Sequence, residues 1–294
     1  MKFNIHLAKH RWYCSWVSRA IKILEESIEK YGQIYVNHEI IHNKFIINYF
    51  IKKGVIFEED INKIPTWANL VISAHGTDPN YIIKIKEKDI NIIDATCPLV
   101  TKVHLEAKDF LKRGYKIIYI GKKWHQEAEG VMWNDRENVF IVSDKQNVDD
   151  LVKSSSFFND IQWKQQGKVA VLTQTTLSVV ETKELIDYIQ TVYPSLEVPK
   201  TTDICYATTD RQNSIKELAL KSDIIFVVGS KASSNSNKLR DLSVNLWVPA
   251  YLVDSYSEID TSVLEWVQNI WISAWASAPE HLVQEVVEFL KKRG

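Results

Sequence analysis

The stretch Asp94-Ala95-Thr96-Cys97-Pro98-Leu99-Val100-Thr101 places a cysteine between a short apolar run and an amphipathic segment. Residues 90–93 predict a buried strand, and apolar residues recur at helical spacing from Leu99 to Leu111. Cys97 is therefore expected at the N-terminus of a helix, where unpaired backbone N–H groups favour the thiolate.

The other two cysteines occupy the same kind of position. Cys14 precedes an amphipathic pattern that stops at Gly32, and Cys205 precedes one that runs through Ala219. Around each cysteine the same order recurs: strand, cysteine, helix, second strand, polar loop, third strand, second polar loop, second helix. A repeat of this length is evidence for repeated structural units. The three cysteines therefore mark three copies of one unit.

Strands that alternate with helices are typical of α/β domains with mostly parallel sheets. We predict three similar α/β domains, at residues 14–96, 97–201 and 202–294, with a strand in residues 1–13 joining the third. Ligands of such sheets bind beyond the carboxyl ends of the strands, where the cysteines and polar loops fall. A pseudo-threefold trefoil is the arrangement that brings three equivalent thiols to one centre.

Composition limits the function classes. The chain has 294 residues, a net charge of -1 and 45% hydrophobic residues, so it is long enough for a sizeable core. The charge gives no electrostatic case for a nucleic-acid or membrane partner. The sequence shows neither a signal-peptide pattern nor an apolar run long enough to span a bilayer. Three cysteines cannot all pair within one chain, so we expect a reducing, cytoplasmic setting.

Three distant thiols suit a metal centre, but their spacing excludes the common ones. A closed zinc site prefers four ligands, often in CxxC pairs, and ferredoxin-type clusters also use closely spaced cysteines. Three thiolates fit a cubane iron–sulfur cluster whose fourth iron is open to substrate. The alternatives are a structural zinc site and three small buried side chains without a metal.

The polar loops carry candidate ligands for an anion such as phosphate. These candidates are His42, His75, His125, Ser233, Ser234, Asn235 and Ser277. Each has an ordinary alternative: a core or surface histidine, a solvated turn at residues 230–237, or a helix cap formed by Ser277 with Glu280.

Two further loop residues are candidates for chemistry. Glu127, two residues after His125, is a candidate proton donor, although a loop glutamate is more often a solvated charge. Thr175 follows an apolar strand, and its alternative is a strand residue chosen for β propensity.

The motifs that carry a resemblance appear in one order along nearly the whole chain. They are Cys14, His42-Asn43, Ser73-Ala74-His75-Gly76, Asp94-Ala95-Thr96-Cys97-Pro98-Leu99-Val100, His125-Gln126-Glu127-Ala128-Glu129-Gly130, Thr173-Gln174-Thr175-Thr176-Leu177-Ser178, Asp203-Ile204-Cys205-Tyr206-Ala207-Thr208-Thr209, the segment 229–237 and Ala276-Ser277-Ala278-Pro279-Glu280. With these motifs the chain resembles the 4-hydroxy-3-methylbut-2-enyl diphosphate reductases, which catalyse the last step of the methylerythritol phosphate route to isoprenoids.

The resemblance implies a trefoil of three α/β domains around a 4Fe-4S cluster bound by Cys14, Cys97 and Cys205. It implies that His42, His75, His125, Ser233, Ser234, Asn235 and Ser277 bind the diphosphate of an allylic substrate. Glu127 is then the proton donor and Thr175 hydrogen-bonds the substrate hydroxyl. Two-electron reductive dehydroxylation gives isopentenyl and dimethylallyl diphosphates. The implied electron donor is a ferredoxin or flavodoxin, because no flavin or nicotinamide motif is present. The alternative is an inactive relative that binds a diphosphate.

One departure from the family concerns glycine. The chain has only 9 glycines but 10 tryptophans. Tryptophan stands at positions where the family has glycine, or in similar loops, and an indole there is expected to overfill the packing. The positions are Trp12, Trp16, Trp67, Trp124, Trp133, Trp247, Trp271 and Trp275, whereas Trp163 and Trp266 are expected to be genuine. Our hypothesis is that the gene reads UGA as glycine and was translated as if UGA meant tryptophan.

Overall fold

The structure is a computed structural model that describes residues 3–154, 158, 167–231 and 233–294, without the side chain of Ser234. The chain folds into two compact units. The first unit comprises Met1–Glu26, Glu39–Val55 and Tyr206–Gly294, and the second comprises Ser27–His38 and Ile56–Cys205. The predicted division at 14–96, 97–201 and 202–294 stays a prediction.

The helices of the described residues are α1 (Ser15–Tyr31), α2 (Lys44–Lys52), α3 (Pro79–Glu87), α4 (Pro98–Lys112), α5 (Gln126–Met132), α6 (Lys145–Ser154), α7 (Val179–Val192), α8 (Tyr206–Ala219), α9 (Ser234–Asn245) and α10 (Glu280–Lys291). The strands are β1 (Asn4–Leu7), β2 (Tyr35–Val36), β3 (Ile56–Phe57), β4 (Asn69–Ile72), β5 (Asn91–Asp94), β6 (Lys116–Ile120), β7 (Val139–Val142), β8 (Val169–Thr173), β9 (Ile224–Val228), β10 (Ala250–Val253) and β11 (Asn269–Ala274). In this part of the chain no helix is long and apolar enough to cross a bilayer.

The first unit is built on one sheet with the order β1-β11-β9-β10. All neighbouring strands in it are parallel, and Asn4 of β1 is in register with Asn269 of β11. Helix α10 presents Leu282, Val283 and Val286 to one apolar core of this sheet. Burying one such side chain contributes about 1.5–3 kcal/mol, so this face anchors α10.

The second unit contains two further parallel sheets, with the orders β3-β2-β4-β5 and β7-β6-β8. Strands β6 and β8 are buried along their whole length, as expected for continuous apolar runs in parallel sheets. The predicted α/β fold with mostly parallel sheets is confirmed.

Two predictions about strands next to cysteines were wrong. The strand before Cys97 spans Asn91–Asp94, and its residues are half-buried or exposed because β5 is an edge strand. Among the described residues no strand directly precedes Cys205, and the nearest β contact is an isolated bridge between Ala170 and Glu197. Local apolar composition predicts a strand but not whether a neighbour covers it.

Candidate functional site

Each cysteine directly precedes a helix, as predicted. Helix α1 begins after Cys14, α4 after Cys97 and α8 after Cys205. The Sγ of Cys14 accepts a hydrogen bond from the backbone N–H of Val17 at 3.3 Å. A backbone N–H group of the first turn of α1 therefore points at the sulfur of Cys14. None of the three cysteines is in a disulfide, and each is partly exposed.

Backbone hydrogen bonds hold two of the cysteines beyond strand ends in the second unit. The N–H of Cys97 donates to the carbonyl of Ala74 at 3.0 Å, and the N–H of Cys205 donates to the carbonyl of Thr175 at 2.9 Å. Ala74 and Thr175 both follow the carboxyl ends of parallel strands, β4 and β8. This is the edge at which parallel α/β sheets bind ligands.

Glu127 is not in a loop, as the sequence suggested, but in the first turn of the short helix α5. The side chain is 4% exposed, and both its oxygens face Thr175. Oε2 accepts the backbone N–H of Thr175 at 3.0 Å, and Oε1 accepts its hydroxyl at 3.1 Å. The solvated-charge alternative for Glu127 is therefore wrong, because the carboxyl group is enclosed and bound at two points.

His125 is the N-cap residue of α5. Its Nδ1 accepts the backbone N–H of Glu127 at 3.2 Å, which places the ring proton of the neutral form on Nε2. The rings of His125 and His75 meet edge to face, with centroids 6.1 Å apart. Two of the predicted anion ligands are therefore neighbours in the second unit, and one of them, His125, is two residues from Glu127.

Tyr119 lies fully buried on β6 near the same carboxyl group. Burial raises the pKa of Tyr119 well above its ordinary value, and the charges of Glu127 and Asp203 raise it further. Its hydroxyl has no hydrogen-bond partner among the described residues. The phenol therefore stays neutral and contributes a polar atom without a charge.

Asp203 and Lys102 form an ion pair that no sequence pattern indicated. The Nζ of Lys102, on α4, donates to Oδ1 of Asp203 at 2.8 Å. Oδ2 of Asp203 accepts the backbone N–H of Thr173 at 2.9 Å. Burial raises the pKa of Asp203, and the pair with Lys102 opposes that effect only in part. The pair joins the helix after Cys97, the end of β8 and the segment before Cys205.

His104 lies on α4, against the turn that follows His75. A Cβ atom built on Gly130 would lie 3.1 Å from its Cε1, and one on Gly76 would lie 3.8 Å from its Nε2. Burial, and then the charge of Lys108, lower the pKa of His104 from 6.5 to about 4. The ring is therefore neutral at neutral pH.

This buried ring predicts a dependence of stability on pH. In the unfolded chain His104 binds a proton near pH 6.5, whereas in the folded protein it does so only near pH 4. The neutral buried ring therefore stabilises the fold fully above pH 6.5, and this stabilisation is lost as the pH falls through 4. The contribution of His104 to the free energy of unfolding is expected to decrease by about 3 kcal/mol between pH 7 and pH 4. Urea titrations of the chain and of His104→Leu across this range isolate the contribution. A difference between the two proteins that does not change with pH would contradict it.

In the first unit Ser277 contacts His42. The Ser277 hydroxyl donates to the carbonyl of His42 at 3.2 Å, and Nδ1 of His42 lies 3.0 Å from a carboxyl oxygen of Glu39. The predicted capping box of Ser277 with Glu280 was wrong, because α10 begins at Glu280 with Pro279 as its N-cap. A hydrogen bond to a residue far away in the sequence replaces the local cap.

Within the segment 230–237, the described residues Ser233, Asn235 and Ser236 are buried, so the solvated-turn alternative is wrong for them. Ser233 is the N-cap of α9, 1% exposed, and its Oγ accepts the backbone N–H of Ser236 at 3.3 Å. Asn235 is 8% exposed, and its Oδ1 has no hydrogen-bond partner among the described residues. The side chain of Ser234 lies outside the described part of the structure. The backbone N–H groups at the N-terminus of a helix such as α9 are suited to an anion.

Arg211 is a buried residue of the first unit that sequence reasoning missed. Its guanidinium group donates to the carbonyls of Ala207 at 2.8 Å and Ala274 at 3.3 Å, and to the carbonyl of Trp12. It thus links the segment before Cys14 to the end of β11. A single arginine within a helical apolar pattern gives no sequence signal for this role.

The case for a metal centre rests on the kind of ligands that the three cysteines provide, and not on a preformed cluster of side chains. Within the described residues, no group of three or more His, Cys, Asp or Glu side chains is placed to hold a metal ion. The ligands themselves fit a cofactor that binds to cysteine sulfur. All three cysteines are outside disulfides, and each lies at a helix N-terminus.

Comparison with known proteins identifies the family. The model of the family described as LytB protein matches residues 5–291. A 4-hydroxy-3-methylbut-2-enyl diphosphate reductase from Actinobacillus pleuropneumoniae serotype 3 is 42% identical over 295 residues, covering 99% of this chain and 91% of that protein. One from Ehrlichia ruminantium is 44% identical over 292 residues, covering 98% and 86%.

A solved structure agrees with these relatives. The E-1-hydroxy-2-methyl-but-2-enyl-4-diphosphate reductase from Plasmodium falciparum superimposes with a TM-score of 0.91 at 36% sequence identity, covering 98% of this chain and 88% of that chain. Family, relatives and solved structure all span nearly the whole chain. The chain belongs to the LytB protein family.

Proposed function

We propose that this chain reduces 4-hydroxy-3-methylbut-2-enyl diphosphate to isopentenyl and dimethylallyl diphosphates. The observation that carries the proposal is the enclosed carboxyl group of Glu127, bound by the N–H and the hydroxyl of Thr175 on a helix capped by His125. The names of relatives above 40% identity support the same activity. The comparisons give no support to an inactive, diphosphate-binding relative.

The proposed cofactor is a 4Fe-4S cluster held by Cys14, Cys97 and Cys205. When bound, such a cluster supplies electrons and an iron that acts as a Lewis acid toward the leaving oxygen. Thiols outside disulfides and next to helix N-termini support this assignment. They also support a reducing compartment, which we propose is the cytoplasm.

The reaction takes up two electrons and two protons. The allylic C–O bond breaks, the oxygen leaves as water, and a C–H bond forms in the product. Glu127 donates the proton that the departing oxygen needs. Thr175 fixes the orientation of the Glu127 carboxyl group and offers its hydroxyl to the substrate oxygen.

The diphosphate is assigned to the histidines and to the small polar residues. In the second unit His125 presents Nε2–H because its Nδ1 is already an acceptor, and His75 lies beside it. In the first unit Ser233 and Asn235 lie at the start of α9, and Ser277 contacts His42. With Ser234, these residues are the proposed hydrogen-bonding partners of the anion. The proposed electron donor is a ferredoxin or a flavodoxin.

The test is anaerobic reconstitution with iron and sulfide, followed by turnover of the allylic diphosphate with a chemical reductant. We expect about four irons and four sulfides per chain and formation of both five-carbon diphosphates. Cys205→Ala is the control and is expected to lose sulfide loading and turnover together. Full cluster loading without turnover would favour the binding protein, and zinc without sulfide would favour a structural metal site.

A further inference from the structure

Four tryptophans have a backbone conformation that favours glycine. The φ angles of Trp67, Trp124, Trp247 and Trp266 are 66°, 67°, 63° and 68°. Asp89 is the one other non-glycine residue of the described ranges with a positive φ. In this left-handed region a Cβ atom crowds the following carbonyl, so side chains are disfavoured and glycine is the usual occupant.

Trp247 follows helix α9 in a motif that ends α2 and α4 with glycine and α3 with Asp89. The N–H of Trp247 donates to the carbonyl of Val244, and the N–H of Val248 donates to that of Ser243. Gly54 and Gly114 make the same pair of bonds after α2 and α4, with φ angles of 88° and 79°. This is the Schellman motif, whose left-handed position is most often glycine.

The other three tryptophans occupy the third position of tight turns. Each turn is closed by a hydrogen bond from a backbone N–H to the carbonyl three residues earlier. The donor and acceptor residues are Ala68 and Pro65, His125 and Lys122, and Val267 and Leu264. For the last turn, the second residue, Glu265, has φ -63° and ψ 129°. Those angles, followed by a positive φ, define a type II turn, which requires glycine or asparagine at its third position.

No packing compensates for this conformation. The exposed fractions are 75% for Trp67, 87% for Trp124, 94% for Trp247 and 86% for Trp266. The expectation that indoles overfill the packing was wrong at three of these positions, Trp67, Trp124 and Trp247, because the rings extend into solvent. The strain lies in the backbone. Trp266, which was expected to be genuine, belongs to the same group.

We propose that residues 67, 124, 247 and 266 are glycine in the protein that the source organism makes. The codon UGA differs from the glycine codon GGA in one base, and translation of a glycine-reading UGA as tryptophan produces this pattern. It also accounts for a chain with 9 glycines and 10 tryptophans. At Trp12, Trp16, Trp133, Trp271 and Trp275 the same substitution remains a prediction from sequence, and Trp163 lies outside the described residues. The inference does not depend on the proposed function.

The direct test uses the gene and the native protein. We expect UGA at all four codons, and glycine at the same positions in tryptic peptides of protein isolated from the source cells. UGG codons, or tryptophan in those peptides, would overturn the proposal.

A second test measures the backbone effect in recombinant protein with glycine at all four positions. From this all-glycine protein, single variants with tryptophan or with alanine are made at each of the four positions, beginning with 247. Each return is expected to lower the folding equilibrium constant by a factor of about 5 to 30, alanine as much as tryptophan, because both carry a Cβ atom. Leu220→Gly is the matched control, because Leu220 is 87% exposed but does not have a positive φ. Glycine at this position is expected to give no increase in stability. If the protein with alanine at position 247 is as stable as the protein with glycine there, the conformational argument is contradicted.

Discussion

Replacing Glu127 by glutamine is expected to lower kcat for the proposed reductive dehydroxylation by about 10²- to 10⁴-fold, the range for losing a positioned acid. The amide has the same size and accepts the N–H of Thr175 through its oxygen, so the fold is preserved. It cannot release a proton to a leaving oxygen. KM is expected to change little, because the residues assigned to the diphosphate are untouched.

Glu129→Gln is the matched control for this experiment. Glu129 lies two residues along the same helix, and its carboxyl group accepts the backbone N–H of Trp124 at 3.3 Å rather than contacting Thr175. Its kcat is expected to stay within a factor of about two of the parent. Steady-state kinetics under anaerobic conditions, with iron and sulfide measured in each sample, separate chemistry from cluster loading. Equal losses in the two variants would remove Glu127 from its proposed role.

Replacing Arg211 by methionine is expected to lower the free energy of unfolding by about 3–5 kcal/mol, because a buried cation with three carbonyl acceptors is lost. Arg211 is 4% exposed, so water cannot easily replace its hydrogen bonds to Trp12 and Ala274. Chemical denaturation monitored by circular dichroism measures the change.

Two control variants distinguish burial from charge. Arg211→Lys keeps the charge but cannot reach all three carbonyls, so an intermediate loss is expected. Arg240→Met removes a partly exposed ion pair with Asp241 and is expected to cost less than about 1 kcal/mol. Equal costs for Arg211→Met and Arg240→Met would show that the buried hydrogen bonds contribute no more than a surface pair.

The sequence predicts the features that depend on local patterns. Apolar residues at helical spacing after Cys14, Cys97 and Cys205 place all three thiols at helix N-termini, and the buried strands β6 and β9 match their apolar runs. These elements are encoded by neighbours in the chain, so reading residues in order is sufficient.

The sequence does not predict features that depend on contacts between distant residues. Glu127 and Thr175 are 48 positions apart, and no local pattern shows that the two side chains bind each other. Ser277 has the spacing of a capping residue, yet its hydroxyl donates to a carbonyl 235 positions away. The turn conformation at Trp266 was missed for a related reason, since tryptophan itself carries no turn signal.

The parallel pairing of β1 with β11 has a consequence for how the chain folds during synthesis. Asn4 and its register partner Asn269 are separated by 265 positions, so β1 emerges from the ribosome long before its partner exists. At about 5–20 residues per second, the wait is roughly 13–53 s. The second unit, which ends at Cys205, is fully synthesised earlier. The first unit is therefore completed last, and its N-terminal strand must remain unpaired on the nascent chain until then.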